Sequence, residues 1–294
     1  MVGIYVRALS FLVRRVYLSS GPSHVWHMDG YDKLKPYGMA IHGCIDGYSR
    51  KLMWLKVRVL FPVVLHDVTF YLQHRLLYII QASYSNNDPK IVAQYFVQCV
   101  KECGHSPKLL RTDCGTENGL SAGIQALFHD SDTAHAYGKS TSNQRIEALW
   151  SKLRPAVLGW IEYFKDLIEE DLFHPGVVIE VHAMRRAFMS LINDTLTEFV
   201  TYWNCHRVRK SSDSPGGVPD VLFYTHNNAG ATVSDVKIAE ATAACDVPLT
   251  ITGDNDMDEY LAYVMEESQL QEPRDKLEAF NLYQALCQAV EQRS

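Results

Sequence analysis

Along this chain, short dense apolar runs broken by turn residues give way to longer stripes at three- and four-residue spacing. Val25 to Met28 and Met39 to Ile45 predict strands, with Gly30 to Gly38, which includes Pro36, as the turn between them. Arg50 to Lys56 predicts a third strand after a turn at Asp46-Gly47. Asn87-Asp88-Pro89 has the chemistry of a helix start, a capping side chain followed by a proline suited to the first turn. Ile91, Val92, Tyr95, Phe96, Cys99 and Val100 then make one helical stripe, which Gly104 ends and Pro107 bars from continuing. A strand over Leu109 to Thr112, a short helix around Ile124 to Phe128 and a strand around Ala134 to Tyr137 follow. Ser140 to Asn143 offer caps for the next helix, on which Glu147, Trp150, Ser151 and Arg154 share a face and which Pro155 is expected to kink or end. Val157 to Trp203 is mostly helical, interrupted at Phe173-His174-Pro175-Gly176, and is expected to pack back on the core. Pro215 to Pro219 ends the globular pattern. Residues 225–294 give a polar linker, an acidic run at Asp254 to Glu259 and a last amphipathic helix near Arg274 to Val290, and no internal repeat appears.

The chain has 294 residues, enough for one large domain and a smaller one, and its 47% apolar content is too high for general disorder. Seven cysteines at irregular spacing do not make a disulfide framework. Cys99 and Cys103 fall on one helix face, with no matched His or Cys pair to complete a zinc site. Reduced thiols fit a nuclear protein, or a cytosolic one. Met1 to Val13 is apolar but contains Arg7 and has no small-residue cleavage site, so no signal peptide is read there. The net charge of −6 seems wrong for a chain that binds nucleic acid, but it is unevenly spread. Residues 1–210 hold 24 Lys and Arg against 19 Asp and Glu, an excess of +5; residues 211–294 hold 4 against 15, an excess of −11. The first part can neutralise phosphates, and the acidity belongs to a solvated tail.

Three carboxylates carry the chemistry. Asp29 ends the run Trp26-His27-Met28-Asp29, Asp113 follows the strand Leu109 to Thr112 in Thr112-Asp113-Cys114-Gly115-Thr116-Glu117-Asn118, and Glu147 lies early in a helix. Three such groups can hold two hard divalent cations, which clamp the attacking and leaving oxygens of a phosphodiester displacement. The competing reading is that each carboxylate only caps a turn. Asp46 in Asp46-Gly47-Tyr48-Ser49-Arg50 reads as a turn residue bonding local amides. Glu117 and Asn118 suit either a turn cap or the orientation of water or a DNA end. Lys139, Asn143, Gln144, Arg145, Lys152 and Arg154 surround Glu147 and are candidate DNA contacts. Trp26, Trp54 and Trp150 read as core, and His27 as a packed strand histidine. Neither a P-loop nor a Gly-x-Ser-x-Gly elbow is present.

These contexts, Trp-x-x-Asp, Ile45-Asp46-Gly47-Tyr48-Ser49-Arg50, Thr-Asp-x-Gly-x-Glu-Asn and a helical Glu with 33 residues between it and Asp113, resemble the D-D-E integrase core of retroviral integrases and transposases. The resemblance is closest to uncharacterised eukaryotic integrase-core proteins of transposon origin and spans roughly Arg14 to Phe223. Tyr202-Trp203-Asn204-Cys205-His206-Arg207 and Ser214-Pro215-Gly216-Gly217-Val218-Pro219 look like the end of such a core. It implies an α/β fold: an RNase H-like integrase catalytic core, a mixed five-stranded sheet with flanking helices, plus a helical C-terminal extension. The expected division is an unassigned segment at 1–13, the catalytic core at 14–155, its helical extension at 156–223 and an acidic, partly disordered tail with a terminal helix at 224–294. Asp29, Asp113 and Glu147 become catalytic and metal-binding, with two Mg²⁺ or Mn²⁺ ions. The implied reaction is cleavage at a DNA end and strand transfer by a homo-oligomer. The alternative is a domesticated, catalytically inactive remnant that binds DNA or protein. Relatives carry a helical DNA-binding region upstream, which this chain is expected to lack.

Val57 to Gln81 does not fit. About 25 residues stand where a short connection is expected. Joining Lys56 to Ala82 gives Trp-Leu-Lys-Ala-Ser-Tyr-Ser-Asn-Asn-Asp-Pro, which matches the resemblance well. Val57-Arg58 and Gln81 can be encoded by splice-donor-like and acceptor-like codons, so a retained intron translated in frame is one reading, and Met1 to Leu12 a similar artefact. A genuine surface insertion is the other. A membrane span is excluded, because Arg58, His66, Asp67, His74 and Arg75 interrupt the run.

Overall fold

The computed structural model describes residues 19–55, 88–138, 143–211, 214–246 and 254–292, together with the backbone of Ala82–Ser83. The anomalous segment, the N-terminal segment, Lys139 and the caps expected at Ser140 to Ser142 lie outside them. β1 (Val25–Tyr31) is the centre of the molecule. On one side it pairs antiparallel with β2 (Ala40–Asp46), which pairs antiparallel with β3 (Leu52–Leu55) and with the short β4 (Ala82–Ser83). On the other side it pairs parallel with β6 (Leu109–Thr112), which pairs parallel with β7 (His135–Tyr137). The sheet order β3-β2-β1-β6-β7 is the mixed RNase H-like order that the sequence leads one to expect.

Alternation along β1 divides the molecule into two cores. Trp26 and Met28 point to a layer made by α1 (Pro89–Cys103), α2 (Gly119–His129) and α6 (Asp235–Ala244). Tyr31 points to the opposite layer, with α3 (Gln144–Glu169), α4 (Val178–Cys205), α7 (Asn255–Glu267) and α8 (Lys276–Glu291). The same alternation sends His27 and Asp29 to the α3 side. α1 begins as expected: Asp88 accepts a hydrogen bond from the Lys90 amide, Pro89 fills the first turn, and Gly104 closes the helix at φ +73°.

Several boundaries move. β1 runs on to Tyr31, so Asp29 lies inside the strand, and a 3₁₀ turn over Asp32–Tyr37 replaces the open loop expected from Gly30 to Gly38. β3 is shorter than Arg50 to Lys56, and α2 starts five residues before Ile124. α3 does not end at Pro155. Proline removes the bond to the carbonyl four residues back, that of Ser151, which is exposed to solvent, and Leu153, Val157, Trp160 and Phe164 pack the helix down on both sides of the break.

The acidic tail is also not the appendage expected. β5 (His105–Ser106) pairs with β8 (Ala231–Thr232), and Val233, Ala241 and Cys245 are buried in the first core. Leu261, Val264, Leu282 and Leu286 are buried in the second. Arg186, 4% exposed, is bridged to Glu272, and the Tyr283 hydroxyl donates to Glu180 at 2.8 Å. The charges face solvent while sparse apolar residues hold the tail to the body.

β3 and β4 lie on one edge of β2. Leu55 pairs with Gly43, and Ala82 pairs with Ile41. A single position of β2, His42, separates the two partners. An uninterrupted strand would place one residue between Leu55 and Ala82; the sequence places residues 56–81 there. β4 therefore resumes the line and register of β3 as if 25 residues had been added to one strand.

Candidate active site

β1 and β6 run parallel with Trp26 opposite Leu110 and His27 opposite Arg111. Two residues further in the same register, Asp29 comes level with Asp113, at the end of β6. Neighbouring strands stand ~4.8 Å apart, so the two carboxylates emerge side by side. The first turn of α3 crosses the same end of the sheet with Glu147 on its exposed side, where a negative charge also suits the helix N-terminus.

Each aspartate is held in place. The Asp29 Oδ1 accepts from its neighbour's Gly30 amide at 2.9 Å, and Oδ2 accepts from the Trp150 indole N–H at 3.0 Å. Trp150 lies three residues beyond Glu147, so one helix supplies both the third acid and the donor that fixes the first. Its ring occupies space that Gly43, opposite Asp29 on β2, leaves open: a Cβ there would meet the indole at 2.8 Å. Asp113 Oδ1 accepts from the Gly115 amide at 3.0 Å and from the Asn118 side-chain amide at 2.8 Å. Asn118 also donates to Glu117 at 3.3 Å, which settles its role as a local brace.

Burial first, and then the negative charges of Asp113 and Glu147, raise the Asp29 carboxyl to about 7 against the opposing Trp150 and Gly30 hydrogen bonds. Glu117 is also raised, by burial first and then by Asp113. Four acids thus act on one another at this end of the sheet.

The α3 helix is fastened at this point by an interaction that the sequence does not reveal. Asn143 is 1% exposed; it stands at the N-cap position but does not cap with its side chain. Its amide oxygen accepts from His27 Nδ1 at 2.7 Å and its amide nitrogen donates to the Met28 carbonyl at 3.0 Å. Because an amide oxygen can only accept, His27 carries its proton on Nδ1. Burial holds that histidine neutral, its pKa lowered to about 3, with Arg111, Arg145 and Arg50 adding to the effect.

Of the DNA-contact candidates, Gln144, Lys152 and Arg154 are exposed around Glu147. Asn143 and Arg145 are buried, which takes them off the surface where DNA contacts were expected, and Asn143 lies in the joint between α3 and β1. Lys139 lies outside the described residues. Asp46 is fully buried and accepts from the Ser23, Tyr48 and Ser49 amides and the Ser49 hydroxyl, a turn-builder as expected. Among the described residues no three His, Cys, Asp or Glu side chains stand together in a group that could hold a metal ion, and all seven cysteines are free.

The integrase core domain model matches residues 16–60 and 59–226, which takes in Asp29, Asp113 and Glu147. The chain belongs to the integrase core family. The two pieces of this integrase core match meet at residues 59–60, inside the segment that the sequence sets apart. No curated protein and no solved structure in the comparisons matches the chain. Among the described residues no helix is long and apolar enough to cross a membrane.

Proposed function

We propose that this integrase core protein is a metal-dependent polynucleotidyl transferase that cleaves DNA ends and transfers them into target DNA. The observation that carries the reading is Asp29: half-buried, hydrogen-bonded through both oxygens, and driven towards protonation by burial and two further acids. The donor set fits Mg²⁺ or Mn²⁺. Such ions take one or two carboxylates each and complete their coordination with water and substrate phosphate, so an all-protein cage is not required. Asp29 and Asp113 would hold one ion between them, and Glu147 would hold the second with one of the aspartates. When bound, the ions supply the positive charge that steadies the attacking and leaving oxygens.

The protein's own part is positioning. Trp150 and Gly30 orient Asp29, Asn118 and Gly115 orient Asp113, and the His27–Asn143 bond fixes the helix that carries Glu147. No side-chain nucleophile is needed, since water or a DNA 3′-hydroxyl attacks. Exposed Lys152 and Arg154 would meet phosphates in this reading. A nuclear location, a mobile-element origin and action as a homo-oligomer go with this reading.

A second reading, a DNA- or protein-binding remnant without activity, draws support from Glu147 lying exposed and outside any complete cage. Nicking and joining of plasmid and oligonucleotide DNA in Mn²⁺ and Mg²⁺ separates the two. The transferase is active and Asp113→Asn abolishes metal-dependent product while keeping the fold. DNA binding unchanged in chelator, with no product from the wild-type chain, establishes the remnant.

A further inference from the structure

We infer that the two paired arms Arg207 to Ser211 and Ser214 to Gly217 form a second docking surface for duplex DNA, at the end of the sheet away from the carboxylates. It leaves α4 at His206 and is closed as a narrow ribbon by paired backbone bonds, Val208 N to Gly217 O at 2.8 Å and Gly217 N to Val208 O at 3.0 Å, with Ser211 bonded to Ser214. Gly216 adopts φ +70°, and a Cβ there would strike the Lys210 backbone nitrogen at 2.5 Å, so the two arms close only over glycine. The ribbon has a built shape.

On it Arg207, Arg209 and Lys210 are all exposed. None of the three has an ion pair among the described residues, whereas neighbouring Lys51 is tied to Asp220. The acid that follows in the sequence, Asp213, lies outside the described residues, and it leaves the segment with a positive excess. Arg207, Arg209 and Lys210 line a cleft of about 240 Å³ with Val208, Pro215 and Gly216. Small-molecule pockets begin at about 300 Å³ and are mostly apolar. This cleft is smaller and cationic, which suits a phosphodiester group better than a free metabolite. Tyr202, on the last turn of α4, is 69% exposed and stacked on His206, next to Arg207 in the chain, and offers a hydroxyl donor of the kind that meets phosphate.

The surface is anchored to the far end of β1. Trp203 donates to the Arg50 carbonyl at 2.7 Å and Asn204 brackets Leu52. The turn that carries Arg50 leaves β2 at Asp46, opposite Trp26, and Asp29 lies three residues along β1, ~10 Å away at 3.3 Å per residue. Duplex DNA carries a charge every ~1.7 Å, so three cations here bind it without any base contact. The inference rests on DNA being the substrate.

The test is fluorescence anisotropy with a 30-bp duplex of arbitrary sequence in EDTA, from 50 to 200 mM salt. Arg207→Gln, Arg209→Gln and Lys210→Gln together should weaken binding about tenfold and reduce the log–log salt slope by about 3, close to one per lost phosphate contact. Lys165→Gln on α3 should change neither. Arg209→Gln alone, with a slope change of about 1, serves if the triple variant misfolds. A folded variant with wild-type affinity and slope overturns the proposal, as does a wild-type chain that ignores the duplex or prefers single-stranded RNA. Because the assay is metal-free, the joining assay with Asp113→Asn judges the catalytic reading separately.

Discussion

A single indole N–H links the acid on β1 to the helix that carries Glu147. Trp150→Phe removes the donor to Asp29 together with the outer indole ring, whose Cη2 lies beside Gly43. A hydrogen bond to a charged group is worth ~1.5–3 kcal/mol, so calorimetry should find Mn²⁺ affinity about tenfold weaker, alongside a lower melting temperature from the lost bond and ring volume. In a cycle with Asp29→Asn, the phenylalanine should cause no additional loss, and a full additional loss would show that Trp150 acts elsewhere. Two buried histidines set the acid response. His27 and His42 have their pKa lowered to about 3 by burial, below the unfolded value of ~6.5. A lowered histidine contributes its stability in full above pH ~6.5 and loses it as pH falls towards 3. Asp29 and Asp46, their carboxyls raised to about 7 and about 6, take up protons in the folded state over the same range and oppose that loss, so the variant is the measure: urea unfolding at pH 7, 6 and 5 should show His42→Gln becoming more stable relative to the wild-type chain by up to ~1.4 kcal/mol per pH unit as pH falls.

At the scale of elements, the strands, the two aspartates and the opening of α1 can be read from the chain because each rests on local chemistry: alternation, an Asx cap, a terminal glycine. Trp150 reads from sequence as core, and it is 7% exposed, but its bond to Asp29 joins residues 121 apart and leaves no local trace. Asn143 misleads for the same reason, a capping residue type at a cap position whose side chain is taken up by β1. Pro155 does not end the helix, because tertiary packing on either side outweighs one lost hydrogen bond. The broken strand is legible from both directions, as a run of unsuitable length in the sequence and as an unbroken register in the sheet. Removing Val57 to Gln81 should therefore leave the β2 pairing intact, with a melting temperature equal to or above that of the full chain. Removing one residue more or fewer should lower it, because a one-residue slip sends side chains to the wrong face of the sheet.

At the scale of the whole molecule, composition misrepresents the last seventy residues. Their acidity suggests a solvated tail, yet Leu286 is fully buried and the helix that bears it packs against α4. Leu286→Ala should cost about 3 kcal/mol, read by urea unfolding, where a residue in a loose tail would cost almost nothing. The same region reaches the helix that carries Glu147. Lys276, at the start of α8, donates to the Gly159 carbonyl at 2.9 Å and lies 4.5 Å over the Trp160 ring, both on α3. That helix is a rod of 26 residues, ~39 Å long, bolted to β1 by Asn143 and Trp150 at its acidic end and clamped by the chain's last helix beyond its middle. A pull on the C-terminal helix is a torque on the third acid, and the tail that looks dispensable is the handle of the lever.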